Sequence, residues 1–112
     1  AICLDCIDDA EEREMVRTSL AEDGLEVIPL SEDEIEHFAG NMLEAKTMAG
    51  ETLIVMSQQA REALSPEILA RLSAHGRILS APLHTIETCG GGSARCMLAE
   101  IHLPLTSKES EQ

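Results

Sequence analysis

The stretch NMLEAKTMAGETLIVMS, residues 41–57, decides the fold that the sequence predicts. Two runs of strand length, residues 41–46 and 52–57, flank a turn that contains Gly50, and this pattern is typical of a β-hairpin. The second run is a short apolar stretch, as expected for a strand inside a core. We therefore predict two neighbouring strands in the middle of the chain.

A helix and a third strand are predicted after the hairpin. Ser65 and Pro66 are typical of a helix N-cap and of the first helical residue, and His75 with Gly76 indicates the end of that helix. Residues 77–81 (RILSA) then form a predicted strand. The order strand, strand, helix, strand predicts an α/β fold.

The N-terminal part shows related signals. Residues 2–7 (ICLDCI) and 25–30 (LEVIPL) are predicted strands on either side of a helix over residues 9–23, whose acidic first turn suits a helix N-terminus. Ser31, with Glu34 three residues later, forms a predicted capping box that opens a short helix.

The C-terminal part is predicted to contain a loop and a strand. Residues 82–92 form a predicted loop that ends in three glycines, and residues 94–103 (ARCMLAEIHL) form the last predicted strand. Residues 106–112 are predicted to be a disordered tail.

The predicted elements repeat along the chain. The N-terminal run 2–7 can be laid over 52–57, and Asn41 over Cys96, so we predict a repeated strand-helix-strand-strand unit. The chain opens inside a predicted strand, and we expect it to be a piece of something longer. A module that cannot bury its own apolar face depends on neighbours, so we also expect a homo-oligomer or a complementing chain.

Composition excludes several classes of partner. The chain has 112 residues and a formal net charge of −13, which repels phosphate backbones, and its one aromatic residue, Phe38, offers no surface for base stacking. Its apolar runs are too short to cross a bilayer, and residues 1–9 show no secretory signal. We therefore expect no nucleic acid or membrane partner, free thiols and a cytoplasmic location.

Cys3 and Cys6 have the spacing of half a zinc site. If they lie on a strand, as predicted, residues three apart point to opposite faces, and Leu4 and Asp5 are not typical of a tight metal-binding turn. We therefore favour core thiols and expect neither metal nor cofactor. The alternative is a zinc site completed from a group of four further residues: Cys89, Cys96, His84 and His37.

Residues 84–101 (HTIETCGGGSARCMLAEI) hold the main candidate site. Three consecutive glycines allow unusual backbone angles beside a ligand. Cys96 follows them next to Arg95, a setting that favours a nucleophilic thiolate, although spacing alone favours a buried, inert thiol. Cys89 is interpreted as a loop thiol without a role. Glu87 is a candidate partner for a cationic ligand, and a solvated carboxylate is the favoured interpretation.

The four histidines are scattered and lack the acid neighbour that marks a general base, so each is interpreted as a surface or loop residue: His37, His75, His84 and His102.

Three segments carry a family resemblance: GGGSARCMLAE (residues 90–100), FAGNMLEAK (38–46) and ICLDCIDDAEEREMV (2–16). Together they resemble the C-terminal part of bacterial amidinotransferase-family proteins, which belong to the guanidino-group-modifying, or pentein, superfamily. The resemblance extends over residues 2–104.

The resemblance implies a partial pentein-type α/β propeller of β-β-α-β modules, with the active site in a central channel. Residues 1–105 would be the C-terminal portion, about two modules cut at both ends. In this superfamily a cysteine near the C-terminus attacks the guanidinium carbon of an arginine-like substrate and expels an amine, and Cys96 matches that nucleophile. Residues implied at the substrate pocket are Gly90, Gly91, Gly92, Arg95 and Asn41, the last being a candidate substrate neighbour or a structural residue.

The chain departs from the family pattern because the catalytic His and most guanidinium-binding carboxylates of the family lie upstream of the matched region. We therefore expect an amidinotransferase, or an arginine-deiminase-like or dimethylarginine-hydrolase-like enzyme, whose isolated C-terminal part has little turnover. The alternative is a non-catalytic binding or assembly module that docks onto a partner chain. Neither the guanidino substrate nor the acceptor, water or an amine, follows from the residues.

Overall fold

The computed structural model describes residues 1–104, and the predicted tail, 106–112, lies outside the described residues. Helices and strands are named in chain order, and two 3-10 turns are named by their bounds. In residues 1–104 the elements are the turn Leu4–Cys6, α1 (Ala10–Glu22), α2 (Glu32–Glu36), β1 (Leu43–Lys46), β2 (Thr52–Ser57), α3 (Gln58–Ala63), α4 (Pro66–Ser73), β3 (Arg77–Ala81), α5 (His84–Gly90) and the turn Arg95–Met97.

The three strands form one mixed sheet in the order β1-β2-β3. Strand β1 pairs antiparallel with β2, with Leu43 opposite Val55, and Gly50 occupies the connecting turn at φ +85°. Strand β3 pairs parallel with β2, with Ile54 opposite Ile78. The predicted hairpin and the predicted third strand are confirmed, and together with α3 and α4 they form one β-β-α-β unit.

The core is shared by the sheet, the helices that cross from β2 to β3 and segments of the N-terminal part of the chain. On β2, Ile54 and Met56 are buried, and Ser57 caps α3 by accepting the backbone N–H of Ala60 at 3.1 Å. Removing such side chains from water is the main favourable contribution to folding. The buried core residues are Cys3, Ile28, Leu30, Ala39, Ile54, Met56, Ala60, Leu64 and Leu72.

Side-chain caps also begin α1, α2 and α4, and those at Ser31 and Ser65 were predicted. Asp9 accepts the backbone N–H groups of Glu11 and Glu12 at the start of α1. Ser31 and Glu34 form the complete capping box at the start of α2. Helix α4 begins at Pro66 after the N-cap Ser65, as predicted.

The predicted strands 2–7 and 25–30 are wrong. Ile2 and Pro29 form a single isolated parallel bridge, and the chain then enters the turn Leu4–Cys6. The backbone of Ile2 binds Ile28 and Leu30 at 3.0 and 2.9 Å. Proline has no N–H to extend a ladder, and the 3-10 turn removes the extended backbone that a strand needs.

The predicted C-terminal loop and strand are also wrong. Residues 84–90 of the predicted loop form α5, which ends where Gly91 adopts a left-handed φ of +66°. Cys96 lies in the turn Arg95–Met97, and residues 98–104 join no strand within the described part of the chain. A strand requires a neighbouring edge to pair with, and this requirement is not visible in a run of β-favouring residues.

Within residues 1–104, no helix has both the length and the apolar character needed to cross a bilayer.

Candidate functional site

Cys96 lies on a short turn that is anchored by buried residues. Ser93 and Ala94, which precede the turn Arg95–Met97, are 0% and 4% exposed. The backbone N–H of Cys96 donates to the carbonyl oxygen of Ser93 at 3.1 Å. The thiol itself is exposed. The backbone of this nucleophile candidate is thus held in place while its sulfur stays accessible.

The glycines before the turn allow a close approach to Cys96. Gly91 takes the left-handed conformation that ends α5. At Gly92, an added Cβ would lie 3.1 Å from both Cβ and Sγ of Cys96. A larger residue at position 92 would therefore push against the thiol, which explains a glycine there.

Asn41 binds two adjacent residues of the cysteine turn. Its Oδ1 accepts the backbone N–H of Arg95 at 2.9 Å, and its Nδ2 donates to Sγ of Cys96 at 3.1 Å. The guanidinium of Arg95 donates to the carbonyl oxygen of Met42 at 3.2 Å. Asn41 itself follows a turn in which Phe38 has a φ of +64°, and its N–H donates to the Phe38 carbonyl. The residues before β1 and the cysteine turn are thereby held together.

The surroundings of Cys96 favour the thiolate. The hydrogen bond from Asn41 is the main cause that lowers the pKa of Cys96 below its ordinary value of 9.0, and a backbone hydrogen bond from Ser93 acts in the same direction. Partial burial opposes the shift, and the positive charge of Arg95 adds to it. Since the thiolate is the nucleophilic form, this arrangement prepares Cys96 for attack on an electrophile.

Glu87 is buried, so the prediction of a solvated carboxylate is wrong. It lies on α5 with 4% of its surface exposed, and its Oε2 accepts the hydroxyl of Ser93 at 3.0 Å. Its other oxygen, Oε1, has no hydrogen-bond partner within residues 1–104. Glu87 therefore connects α5 to Ser93, whose carbonyl oxygen accepts the backbone N–H of Cys96.

Three of the four histidines have partners other than Cys96. His75 contacts Glu26 at 3.1 Å, His102 contacts Glu100 at 2.8 Å, and His37 binds the backbone of its own helix. No histidine is a hydrogen-bond partner of Cys96 in the described part of the chain. The prediction of scattered surface or loop histidines agrees with this placement, but the expectation that they lack an acid neighbour is wrong for His37, His75 and His102.

The remaining cysteines differ from prediction in part. Cys3 is buried in the core as predicted, but Cys6 is exposed, and the exposed Cys89 lies on α5 rather than on a loop. The zinc alternative is not supported: residues 1–104 bring together no three Cys, His, Asp or Glu side chains able to hold a metal ion.

A groove of about 680 Å³ lies beside the cysteine turn, between β1 and the segment that follows the turn. Arg95 and Leu98 line one side, and Leu43 and Glu44 line the other. Met97, Ile101 and Leu103 are at least half exposed along the same segment. This edge of the molecule thus carries apolar surface close to Cys96.

The sequence placed Cys96, Gly92, Arg95 and Asn41 among the candidate residues, and the structure brings all four together. The sequence missed the role of Ser93 and the burial of Glu87. The position of this serine directly after the glycine run was the available signal for the role of Ser93. Nothing local distinguishes Glu87 from the many other acidic residues of this chain.

Residues 1–103 match a family model described as N,N dimethylarginine dimethylhydrolase, eukaryotic. The chain belongs to the dimethylarginine dimethylhydrolase family. This match confirms the expectation of a guanidino-group-modifying, pentein-type family, and the mixed α/β structure is consistent with part of such a fold. Searches of curated proteins and of solved structures gave no match.

Proposed function

We propose that Cys96 is the nucleophile of a hydrolase that acts on a guanidino compound. The observation that carries the proposal is the 3.1 Å hydrogen bond from Asn41 to the exposed Sγ, which favours the thiolate. A soft thiolate is a competent nucleophile toward a guanidinium carbon. Membership of the dimethylarginine dimethylhydrolase family supplies the substrate class.

The proposed reaction has two steps. The Cys96 thiolate attacks the guanidinium carbon, a C–S bond forms, and the substituted amine leaves after taking up a proton. Water then adds to the covalent amidino intermediate, the C–S bond breaks, and a ureido compound is released. The family name favours N,N-dimethylarginine as substrate, dimethylamine as the leaving group and water rather than an amine as the acceptor.

The other candidate residues receive roles from their contacts. Asn41 holds the sulfur and stabilises its negative charge. Because Gly92 lies against Cys96, the backbone of Gly90, Gly91 and Gly92 is assigned to the border of the substrate. Arg95 is unsuited to a cationic guanidinium and is assigned to an anionic part of the substrate, because guanidinium groups pair well with carboxylates.

We propose further that this chain alone has little turnover. Within residues 1–104 the groups that act on the Cys96 thiol are Asn41 and Ser93, through hydrogen bonds, and Arg95, through its charge, and none of them is a typical general acid or base. The acid–base group and most of the carboxylates that hold the guanidinium would come from further modules of a cytoplasmic propeller, of which residues 1–105 supply about two, so this chain should bind the substrate weakly, in the millimolar range, and turn it over little.

The test is protection of Cys96 from alkylation. Iodoacetamide labelling at neutral pH, followed by trypsin, places Cys89 and Cys96 on separate peptides because cleavage occurs after Arg95. We expect Cys96 to react faster than Cys89, which is also exposed. Millimolar N,N-dimethylarginine should slow labelling of Cys96 alone, whereas lysine, which lacks a guanidinium, should not.

Two results would contradict the proposal. If Cys96 reacts no faster than Cys89, the thiol is not activated. If Cys96 is fast but dimethylarginine gives no protection, the described residues do not bind a guanidinium, and the proposed substrate site fails for this chain.

The second candidate function is a docking module. It is favoured by the exposed apolar residues Met97, Leu98, Ile101 and Leu103 beside the groove. A docking module should self-associate or bind a complementing chain, and sedimentation velocity over a range of concentrations tests the first case directly. A monomer at all concentrations would contradict the hypothesis that the docking module forms a homo-oligomer.

A further inference from the structure

The turn Leu4–Cys6 brings two thiols together. Cys3 directly precedes the turn and Cys6 ends it. A 3-10 helix has about three residues per turn, so side chains three positions apart lie on the same side. The Sγ atoms of Cys3 and Cys6 are 2.9 Å apart. Side chains three positions apart would point to opposite faces of a strand, and this was the argument against a joint role for Cys3 and Cys6. Because the residues form a 3-10 turn, that argument does not apply.

The two sulfurs differ in access to solvent. Cys3 is only 6% exposed and packs in the core cluster, whereas Cys6 is exposed. The backbone on either side is anchored, because Ile2 binds the 28–30 segment and the carbonyl of Ile7 accepts the Arg13 guanidinium at 2.7 Å. The Cys6 thiol can thus attack a small molecule, and the Cys3 thiol is shielded from solvent and held beside it.

We propose that Cys3 and Cys6 form a reversible intrachain disulfide, with a low-molecular-weight disulfide such as oxidised glutathione as the oxidant. The Cys6 thiolate attacks one sulfur of glutathione disulfide, forms a mixed disulfide and releases one glutathione thiolate. Cys3 loses its proton, attacks Sγ of Cys6 and releases the second glutathione. The two protein thiols lose two protons and two electrons, and glutathione disulfide is reduced to two thiols.

The groups around Cys6 set the speed of the first step through its pKa. The hydrogen bond with Cys3 is the main cause that raises the pKa of Cys6 to about 11, and partial burial, Glu32 and Asp5 act in the same direction. The guanidinium of Arg13, 4.0 Å from Asp5, is the nearby opposing charge. Below that pKa the thiolate fraction grows about tenfold per pH unit, so the exchange should accelerate about tenfold per unit between neutral pH and pH 9.

The experiment uses the whole reduced chain. It is incubated with oxidised glutathione, then denatured in guanidinium with N-ethylmaleimide so that every free thiol is blocked, and digested with trypsin. Cleavage after Arg13 leaves both cysteines on one peptide, residues 1–13. We expect this peptide to lose two hydrogens, carry no maleimide and regain both thiols after dithiothreitol, at a rate that rises with pH.

Single variants separate the two steps. Cys3→Ser should stop the reaction at the glutathione adduct of Cys6, and Cys6→Ser should leave the buried Cys3 unmodified. Circular dichroism checks that both variants fold. The proposal is overturned if the unaltered chain accumulates the adduct without losing it to an internal bond, or if both thiols of peptide 1–13 remain open to maleimide. This inference does not depend on the proposed role of Cys96.

Discussion

Two short 3-10 turns, Leu4–Cys6 and Arg95–Met97, each present an exposed cysteine, but the neighbours of the two thiols act in opposite directions. Cys6 shares a hydrogen bond with a second thiol and faces carboxylates, and its pKa is raised to about 11. Cys96 receives an amide N–H and lies beside an arginine, and its pKa is lowered. The local backbone positions both thiols, while the neighbouring donors and charges decide which one is the ready nucleophile.

The two sets of neighbours also differ in origin. The main partner of Cys6 is Cys3, which directly precedes the same turn, whereas the main partner of Cys96 is Asn41, which lies before β1. The activation of Cys96 therefore depends on the fold that brings distant segments together. The state of Cys6 depends mainly on its own turn.

The largest expected effect comes from removing the partner of Cys6. In Cys3→Ala the hydrogen bond that raises the pKa of Cys6 is lost, so its thiolate fraction at pH 8 should rise roughly ten- to a hundredfold. Iodoacetamide labelling of peptide 1–13 measures the change, and the rate at Cys89 serves as the folding control. An unchanged rate at Cys6 would show that the Cys3 contact does not set its reactivity.

The next effect concerns the donor to Cys96. In Asn41→Ala the Nδ2 hydrogen bond is absent, the pKa of Cys96 should rise, and its labelling rate at pH 7 should fall about tenfold. Gln58→Ala, which removes an exposed amide from α3, is the matched control and should leave the rate unchanged. Equal labelling rates in Asn41→Ala and the parent chain would show that Asn41 does not activate Cys96.

The smallest effect concerns the charge beside Cys96. In Arg95→Gln the exposed positive charge is lost, and the labelling rate at pH 7 should fall only about two- to threefold, because solvent screens exposed charges. The difference from the parent chain should shrink in high salt. Arg17→Gln on α1 is the control. A tenfold fall that persists in high salt would mean that Arg95 acts through structure and not through its charge.

The elements with local signals were predicted well. The caps Asp9, Ser31 and Ser65 satisfy backbone N–H groups of their own helices, and Gly50 permits the positive φ of the hairpin turn. These interactions lie within a few residues of each other, so a pattern in the sequence is enough to indicate them. The hairpin, α1, α4 and β3 were predicted from such local patterns.

The wrongly predicted elements depend on distant neighbours. Residues 94–103 contain β-favouring side chains but join no strand within residues 1–104, and the run before Asp8 becomes a 3-10 turn after one bridge at Ile2. Pro82 and the glycines of 82–92 gave a loop pattern, yet α5 forms between them. The same limit applies to the site. Cys96 and Gly92 were found from a local motif, whereas the hydrogen bond from Asn41 and the burial of Glu87 require the folded chain.

The most direct measurement is the pH dependence of iodoacetamide labelling at each cysteine in one tryptic digest of the unaltered chain. The predicted result is that Cys96 reaches half of its maximal rate at a pH below its ordinary pKa of 9.0, while Cys6 continues to accelerate toward pH 11. A profile in which Cys96 titrates at or above 9.0, or together with Cys6, would contradict the central claim that Asn41 and its neighbours prepare Cys96 as a nucleophile.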